Sequence, residues 1–285
     1  MKSILLGLTA IIVAVQLGCG DDKPARRAPR AAASKPKAGN GDTTTPPANA
    51  EPTGWATLTG TFVYDGAVPE REAITVTGDN AAQCGPFNLR SESLLVNEAN
   101  NGISDVFVFL RGMVDHHESY NEQENASIQL SNKDCRFEPH ALGIWLPQTL
   151  RVTNDDPFGH NTNINSPGDR EANSNMTVQP NSEQTTQFTR RQTSPFPVTC
   201  NIHPWMRALV LPSETPYFAV TDENGKFTIA NVPAGIELEF QVWHEKSANL
   251  NADPSWNNGR FKVTLEPDQT MDLGEIKAVA ALFNK

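Results

Sequence analysis

Apolar and polar residues along this chain alternate in short runs cut by Gly, Pro and Asn, and helical periodicity is nearly absent. That pattern predicts half-buried strands and an all-β protein. Thr57 to Tyr64 reads as one strand, turned by Asp65-Gly66. Val106-Phe107-Val108-Phe109-Leu110 is apolar throughout, which suits a strand buried on both faces. Ala141 to Leu146 and Thr149 to Asn154 form a pair around Pro147-Gln148. Thr185 to Thr189, Val198 to Cys200 and Arg207 to Leu211 follow. Residues 111 to 135 and 165 to 183 are polar and read as loops. Strands at this spacing suggest a Greek-key sandwich.

A second set of runs begins after Pro216. Asp222-Glu223-Asn224-Gly225 lies between Tyr217 to Thr221 and Lys226 to Ile229, and Asn-Gly between apolar runs predicts a hairpin. Leu238 to Trp243 alternates, and residues 261 to 265 and 271 to 276 complete the set. This part resembles the small transthyretin-like, or carboxypeptidase regulatory-like, β-sandwich. Gly60 to Pro69 has the same character, so the two units are expected to share a sheet if that stretch joins the second.

The first 55 residues depart from the β pattern. Lys2 precedes a nearly unbroken apolar run, Ile4 to Val15, too short for a comfortable membrane span and typical of an export signal. Gln16-Leu17-Gly18-Cys19-Gly20 resembles a bacterial lipoprotein cleavage site, although Gln16 and Leu17 depart from its usual residues. The resemblance implies a signal peptide over 1–18, lipid on Cys19, and a location outside the cytoplasm, periplasmic or at the cell surface. Residues 19–55 are rich in Ala, Pro and Thr and poor in large apolar side chains. Such a stretch cannot offset its ordering entropy and reads as a tether. Residues 56–214 and 215–285 are then the two β units. Residues 56 to 285 hold 16 of the 23 basic and 29 of the 33 acidic residues, a net charge of −13. Such acidity argues against nucleic acid and points to a soluble acidic body; it would steer a basic redox partner, although acidity alone more often serves solubility.

Chemistry concentrates in Cys200-Asn201-Ile202-His203-Pro204-Trp205-Met206, which offers a thiolate, an imidazole and a thioether within seven residues. These soft ligands suit copper, and a site of two His, one Cys and a distant Met is acceptable to both of its oxidation states. His160, in Phe158-Gly159-His160-Asn161, is the best source of the second imidazole. His140 is a rival that precedes a strand, His116 and His117 lie in a polar loop, and His244 closes a strand. Cys-x2-His also occurs in structural zinc sites, but those want a second close ligand pair, and none is present. The simplest cysteine accounting assigns Cys19 to lipid, Cys84 with Cys135 to a disulfide and Cys200 to metal; pairing of Cys200 with either of the others would abolish the site.

His160 followed by Asn161, a strand ending at Cys200 some forty residues on, and the Cys-x2-His-x2-Met loop together resemble the cupredoxins. The loop spacing is similar to that of amicyanin, and Cys-Asn-Ile-His-x-Trp-Met with the later Val-Trp-His resembles the methylamine-utilisation type. The likeness covers roughly residues 135 to 245. It implies a Greek-key fold and one type 1 copper centre held by His160, Cys200, His203 and Met206, with Asn161 bracing the Cys loop. It also implies a one-electron carrier whose partner is a redox protein such as a c-type cytochrome or a dehydrogenase. Pro204 and Trp205 are expected to form an apolar rim around the edge of His203, through which electrons leave. The same ligands would also serve copper storage or delivery, and a vestigial site would leave a β-sandwich binding module. No nucleophile–base pair or pair of carboxylates at a telling separation points to an enzyme, and Asp155-Asp156 reads as a turn cap.

Overall fold

A computed structural model describes residues 51 to 284, and the expected signal peptide, Cys19 and most of the tether lie outside the described residues. The described chain is nearly all-β. One pair of sheets encloses a core of Leu58, Phe62, Val108, Phe227, Phe240 and Val242, among others. Its three-stranded sheet runs Lys226–Ala234, Gly54–Asp65, Thr270–Val279. The facing sheet runs Phe218–Val220, Phe107–Arg111, Glu237–His244, with Ala248–Asn249 and Arg260–Thr264 both on the last of these. Alternation along Gly54–Asp65 buries Ala56, Leu58, Phe62 and Tyr64, as a strand with one covered face must.

The second pair of sheets encloses Leu130, Phe137, Ile144, Leu150, Val152, Ile164, Val198 and Met206. Its five-stranded sheet runs Ala141–Trp145, Arg207–Ser213, Phe196–Thr199, His160–Ile164, Ser174–Val178. The four-stranded sheet runs Arg136–Glu138, Ser127–Lys133, Thr149–Asn154, Glu183–Thr186. Ser127–Lys133 and Ser174–Val178 fall in stretches whose sequence reads as loop. Each is mostly polar because little of it is buried: Leu130, Ser131 and Asn132 in the first and Val178 in the second.

Core membership does not follow chain order. Gly54–Asp65 and Phe107–Arg111 share their core with residues 217 to 283, whereas the second core draws on residues 130 to 210. A boundary near 214 therefore separates the second sandwich from only one of the two segments that build the first. The turn at Asp222–Gly225 also differs from a hairpin. Asp222 N–H donates to Lys226 O at 3.0 Å, and Gly225 takes a positive φ of 76°. The flanking strands then part, Phe218–Val220 pairing with Phe107–Arg111 and Lys226–Ala234 with Gly54–Asp65. The turn is a corner between facing sheets, because the Gly225 carbonyl accepts from Phe62 N–H at 2.8 Å and draws it onto the neighbouring strand.

The apolar run at 106 to 110 explains how the two sandwiches meet. Val106, Val108 and Leu110 enter the first core. Phe107 and Phe109 face the other way, onto Ala141, Leu209, Leu211 and Trp243. Gly143 belongs to this junction. A Cβ there would lie 2.3 Å from the Phe218 ring. Gly143→Ala is therefore expected to destabilise the protein by about 1–3 kcal/mol, the usual effect of overpacking; equilibrium urea unfolding measures it.

His244 ends the strand Glu237–His244, is 1% exposed and lies edge-on to Phe283. Its Nδ1 accepts from Lys246 N–H at 3.2 Å. Burial lowers its pKa to about 4, with Glu245 acting the other way. The folded pKa lies below the unfolded one, so the neutral ring loses nothing above pH about 6.5. Below that the unfolded chain binds the proton first, and stability falls as pH drops towards 4, by at most about 1.4 kcal/mol per unit. His244→Gln is expected to flatten this part of the stability–pH curve relative to the parent, as chemical denaturation at each pH would show.

Candidate metal centre

The ladder positions the site. Phe196–Thr199 pairs with His160–Ile164, Val198 opposite Ile164 and Thr199 opposite Asn163, so the strand that leads into Cys200 runs beside the one that begins at His160. Cys200 to Met206 then folds back tightly. Met206 N–H donates to His203 O at 2.8 Å and Cys200 N–H to Met206 O at 3.2 Å, and Arg207–Ser213 leaves as the next strand.

Three donor atoms converge. His160 Nδ1 and His203 Nδ1 face each other at 3.0 Å, and Cys200 Sγ lies 3.8 Å from His203 Nδ1. All three donors lie within 4.8 Å of one another, and no other group of three His, Cys, Asp or Glu among the described residues does so. His160 and His203 have no solvent exposure and Cys200 has 2%. Met206 is buried in the same apolar cluster as Cys200. Cys200 is a free thiol, and Cys84 is bonded to Cys135.

Each neighbour constrains a donor. Asp156, read from sequence as a turn residue, accepts from His160 Nε2 at 2.9 Å. The Asp156 carboxylate also accepts from Asp134 N–H at 2.7 Å and Cys135 N–H at 3.0 Å. A proton held on Nε2 leaves the Nδ1 lone pair turned towards His203. Asn161, expected to brace the Cys loop, accepts through Oδ1 from Asn201 N–H at 2.8 Å and Ile202 N–H at 3.2 Å. The Cys200 thiol also points to this oxygen, at 3.4 Å. Trp205 lies against His203 with ring centroids 5.5 Å apart and donates from Nε1 to Cys135 O at 3.1 Å. Pro204 is exposed, but the His203 ring is enclosed, and the rim is not an opening onto it.

Burial sets the proton affinities. It lowers the His160 pKa, and the Asp156 bond and charge offset this only in part. Burial, then the charge of His160, push His203 down to about 4 against the opposing field of Asp156. Both rings are neutral at pH 7, the state in which an imidazole ligates a metal. The rival His140 serves elsewhere: its Nε2 meets Glu245 at 2.8 Å, and Nδ1 is 3.8 Å from Glu92. Burial acts to lower its pKa, but Glu245, Asp105 and Glu92 outweigh it and raise the value.

The donor set fits a metal ion. His160 Nδ1 and His203 Nδ1, 3.0 Å apart and buried, can share either one proton, as an N–H···N bond, or a cation placed between them. Metal–nitrogen bonds of about 2.0 Å and metal–sulfur bonds of about 2.3 Å in a trigonal set hold N and S about 3.7 Å apart. The observed 3.8 Å is close to that, whereas the two nitrogens, at 3.0 Å, are closer than the roughly 3.5 Å the same set would give. Two nitrogens and a thiolate, with a thioether on the same loop, are donors that suit copper.

No family model and no curated protein matches the chain. Among solved structures, it is similar to a Cu-containing nitrite reductase from Thermus scotoductus SA-01 at 18% identity and a TM-score of 0.28, over 31% of this chain and 23% of that one. A mutant of amicyanin in the Cu(I) state matches at 16% identity and 0.27, over 30% and 82%. A purple cupredoxin from Nitrosopumilus maritimus matches at 23% and 0.26, over 30% and 98%. The chain spans under a quarter of the nitrite reductase's length. At these TM-scores the likeness bears on neither the chemistry nor the family of this chain.

Asp156 gives this geometry a direct check. Asp156→Asn replaces a charged acceptor of three N–H groups by an amide whose NH2 can accept nothing. It is expected to weaken metal binding by roughly 10- to 100-fold, the usual effect of losing the group behind a ligating imidazole. Competition against a chelator of known affinity reads this out, and Asp155→Asn is the control.

Proposed function

We propose that the chain is a type 1 copper protein of the cupredoxin kind that carries single electrons outside the cytoplasm, tethered to a bacterial membrane by lipid on Cys19. The observation that carries the reading is the convergence of His160 Nδ1, His203 Nδ1 and Cys200 Sγ in a pocket closed to solvent. When bound, copper supplies a one-electron couple between its two common oxidation states. The residues do the rest. Asp156 fixes the His160 tautomer, and Asn161 holds the backbone that carries Cys200 to Ile202. Met206 places a thioether on the same loop. Phe158 and Trp205 lie against the imidazoles, 5.3 Å from His160 and 5.5 Å from His203, and exclude water. A ligand set fixed in this way moves little when the charge of its ion changes, which keeps electron transfer fast.

The reading includes no enzymatic step. It assigns the acidic surface to a basic redox partner, a c-type cytochrome or a dehydrogenase, and it gives the first sandwich a structural part. Full burial of His203 favours a carrier, which retains its ion, over a delivery protein, which must release it. Titration of the purified protein with copper(II) is expected to develop an intense visible thiolate-to-copper band with a reversible midpoint. Cys200→Ser is expected to abolish that band, and His160→Ala to abolish or strongly alter it. Rapid loss of copper to a chelator would favour delivery, and no colour at saturation would leave a non-redox β-sandwich module.

A further inference from the structure

The stretch 72 to 91 belongs to neither sheet of the second sandwich, yet it closes the metal end. It forms a narrow ribbon at its base, Ile74 N–H donating to Leu89 O and Ser91 N–H to Glu72 O, each at 2.8 Å. Beyond that base come three short helical turns, Gly78–Asn80, Ala81–Cys84 and Gly85–Phe87. Their outer side, including Ala81, Ala82, Gln83 and Pro86, is exposed. The inner side packs Ile74, Val76, Cys84, Phe87 and Leu89 onto Cys135, Phe158 and Trp205. Phe158 and Trp205 are the two aromatic residues that flank His203, at 5.8 and 5.5 Å.

Beyond the ribbon and this small apolar contact, two bonds hold the turns down. Asn80 Nδ2 donates to Ile202 O, in the metal loop itself, at 3.0 Å. Cys84 is joined to Cys135, whose N–H reaches Asp156 and whose C=O takes the Trp205 N–H. The disulfide thus ties the turns to the residue that carries the hydrogen bonds behind both His160 and Trp205.

We propose that residues 75–88 are a movable cover over the metal centre, latched by the Cys84–Cys135 disulfide. The inference rests on the ligand assignment for its purpose but not for its test. Latching joins the two sulfurs: each thiol gives up a proton, and together they pass two electrons to a disulfide-bearing oxidant, which leaves as a dithiol. Before latching, an ion reaches Cys200 and His203 readily; afterwards it enters or leaves only when the cover opens locally.

The test uses the purified protein stripped of metal and kept in chelator. Alkylation of Cys200 by iodoacetamide is followed by peptide mass spectrometry, which reads Cys84 and Cys135 separately. Reduction by a phosphine is expected to speed labelling of Cys200 by at least about tenfold with the far-ultraviolet circular dichroism unchanged, since labelling tracks the open population. With the disulfide intact, the double variant Asn80→Ala/Phe87→Ala is expected to label at least about threefold faster than the parent for the same reason. An unchanged Cys200 rate in folded, reduced protein overturns the proposal. If reduction unfolds the chain, an unchanged rate in the double variant overturns it. Faster labelling alongside no copper colour would sustain the cover and sink the carrier reading alone.

Discussion

Two buried imidazole nitrogens facing each other across 3.0 Å, too close to admit a water, set the terms for everything around the centre. Left to themselves in solvent, both rings would turn outwards and hydrate. Here the ladder between Phe196–Thr199 and His160–Ile164 holds the two backbones side by side. Asp156 holds the far nitrogen of the His160 ring, and the tight fold-back from Cys200 to Met206 fixes the backbone that carries His203. A buried carboxylate is costly unless well paired, and Asp156 is paired three ways, by one ring and two amides. The fold thus spends polar groups at this end of the second sandwich where an apolar core would be simpler.

Parts of the centre could be read along the chain and parts could not. Cys200, His203 and Met206 stand within one loop, so their spacing is visible without a fold. His160 is legible through Asn161 beside it and the strand that delivers it. Asp156 is not. Its adjacency to Asp155 suggests a turn, and its partners at Asp134 and Cys135 are more than twenty residues away. The cover is invisible for a similar reason. Ile74, Val76, Phe87 and Leu89 are too sparse to announce a packed element, and their surface is supplied by Phe158 and Trp205 from distant loops.

The all-β character followed from alternation, and the strands that escaped notice are those with few buried apolar residues. The Asn-Gly turn shows the limit of local signals. Asp222 and Gly225 form the bend that such residues favour, but which strand receives each arm is decided by Phe62 and its neighbours, over 150 residues earlier. Doubly apolar stretches were more informative. Phe107 to Leu110 predicts two covered faces, and both exist, one in the first core and one at the junction.

Gly54–Asp65 and Thr270–Val279 lie side by side and parallel, with Thr57 opposite Thr270, more than two hundred residues apart. Gly54–Asp65 therefore has no neighbour on that edge until residues 270 to 279 have been made, and a parallel pairing of such long reach is slow to find. The second sandwich lies wholly between these two strands and can order on its own residues first. As the chain emerges, the loop bearing Cys200 would then be in place while Gly54–Asp65 still awaits Thr270–Val279.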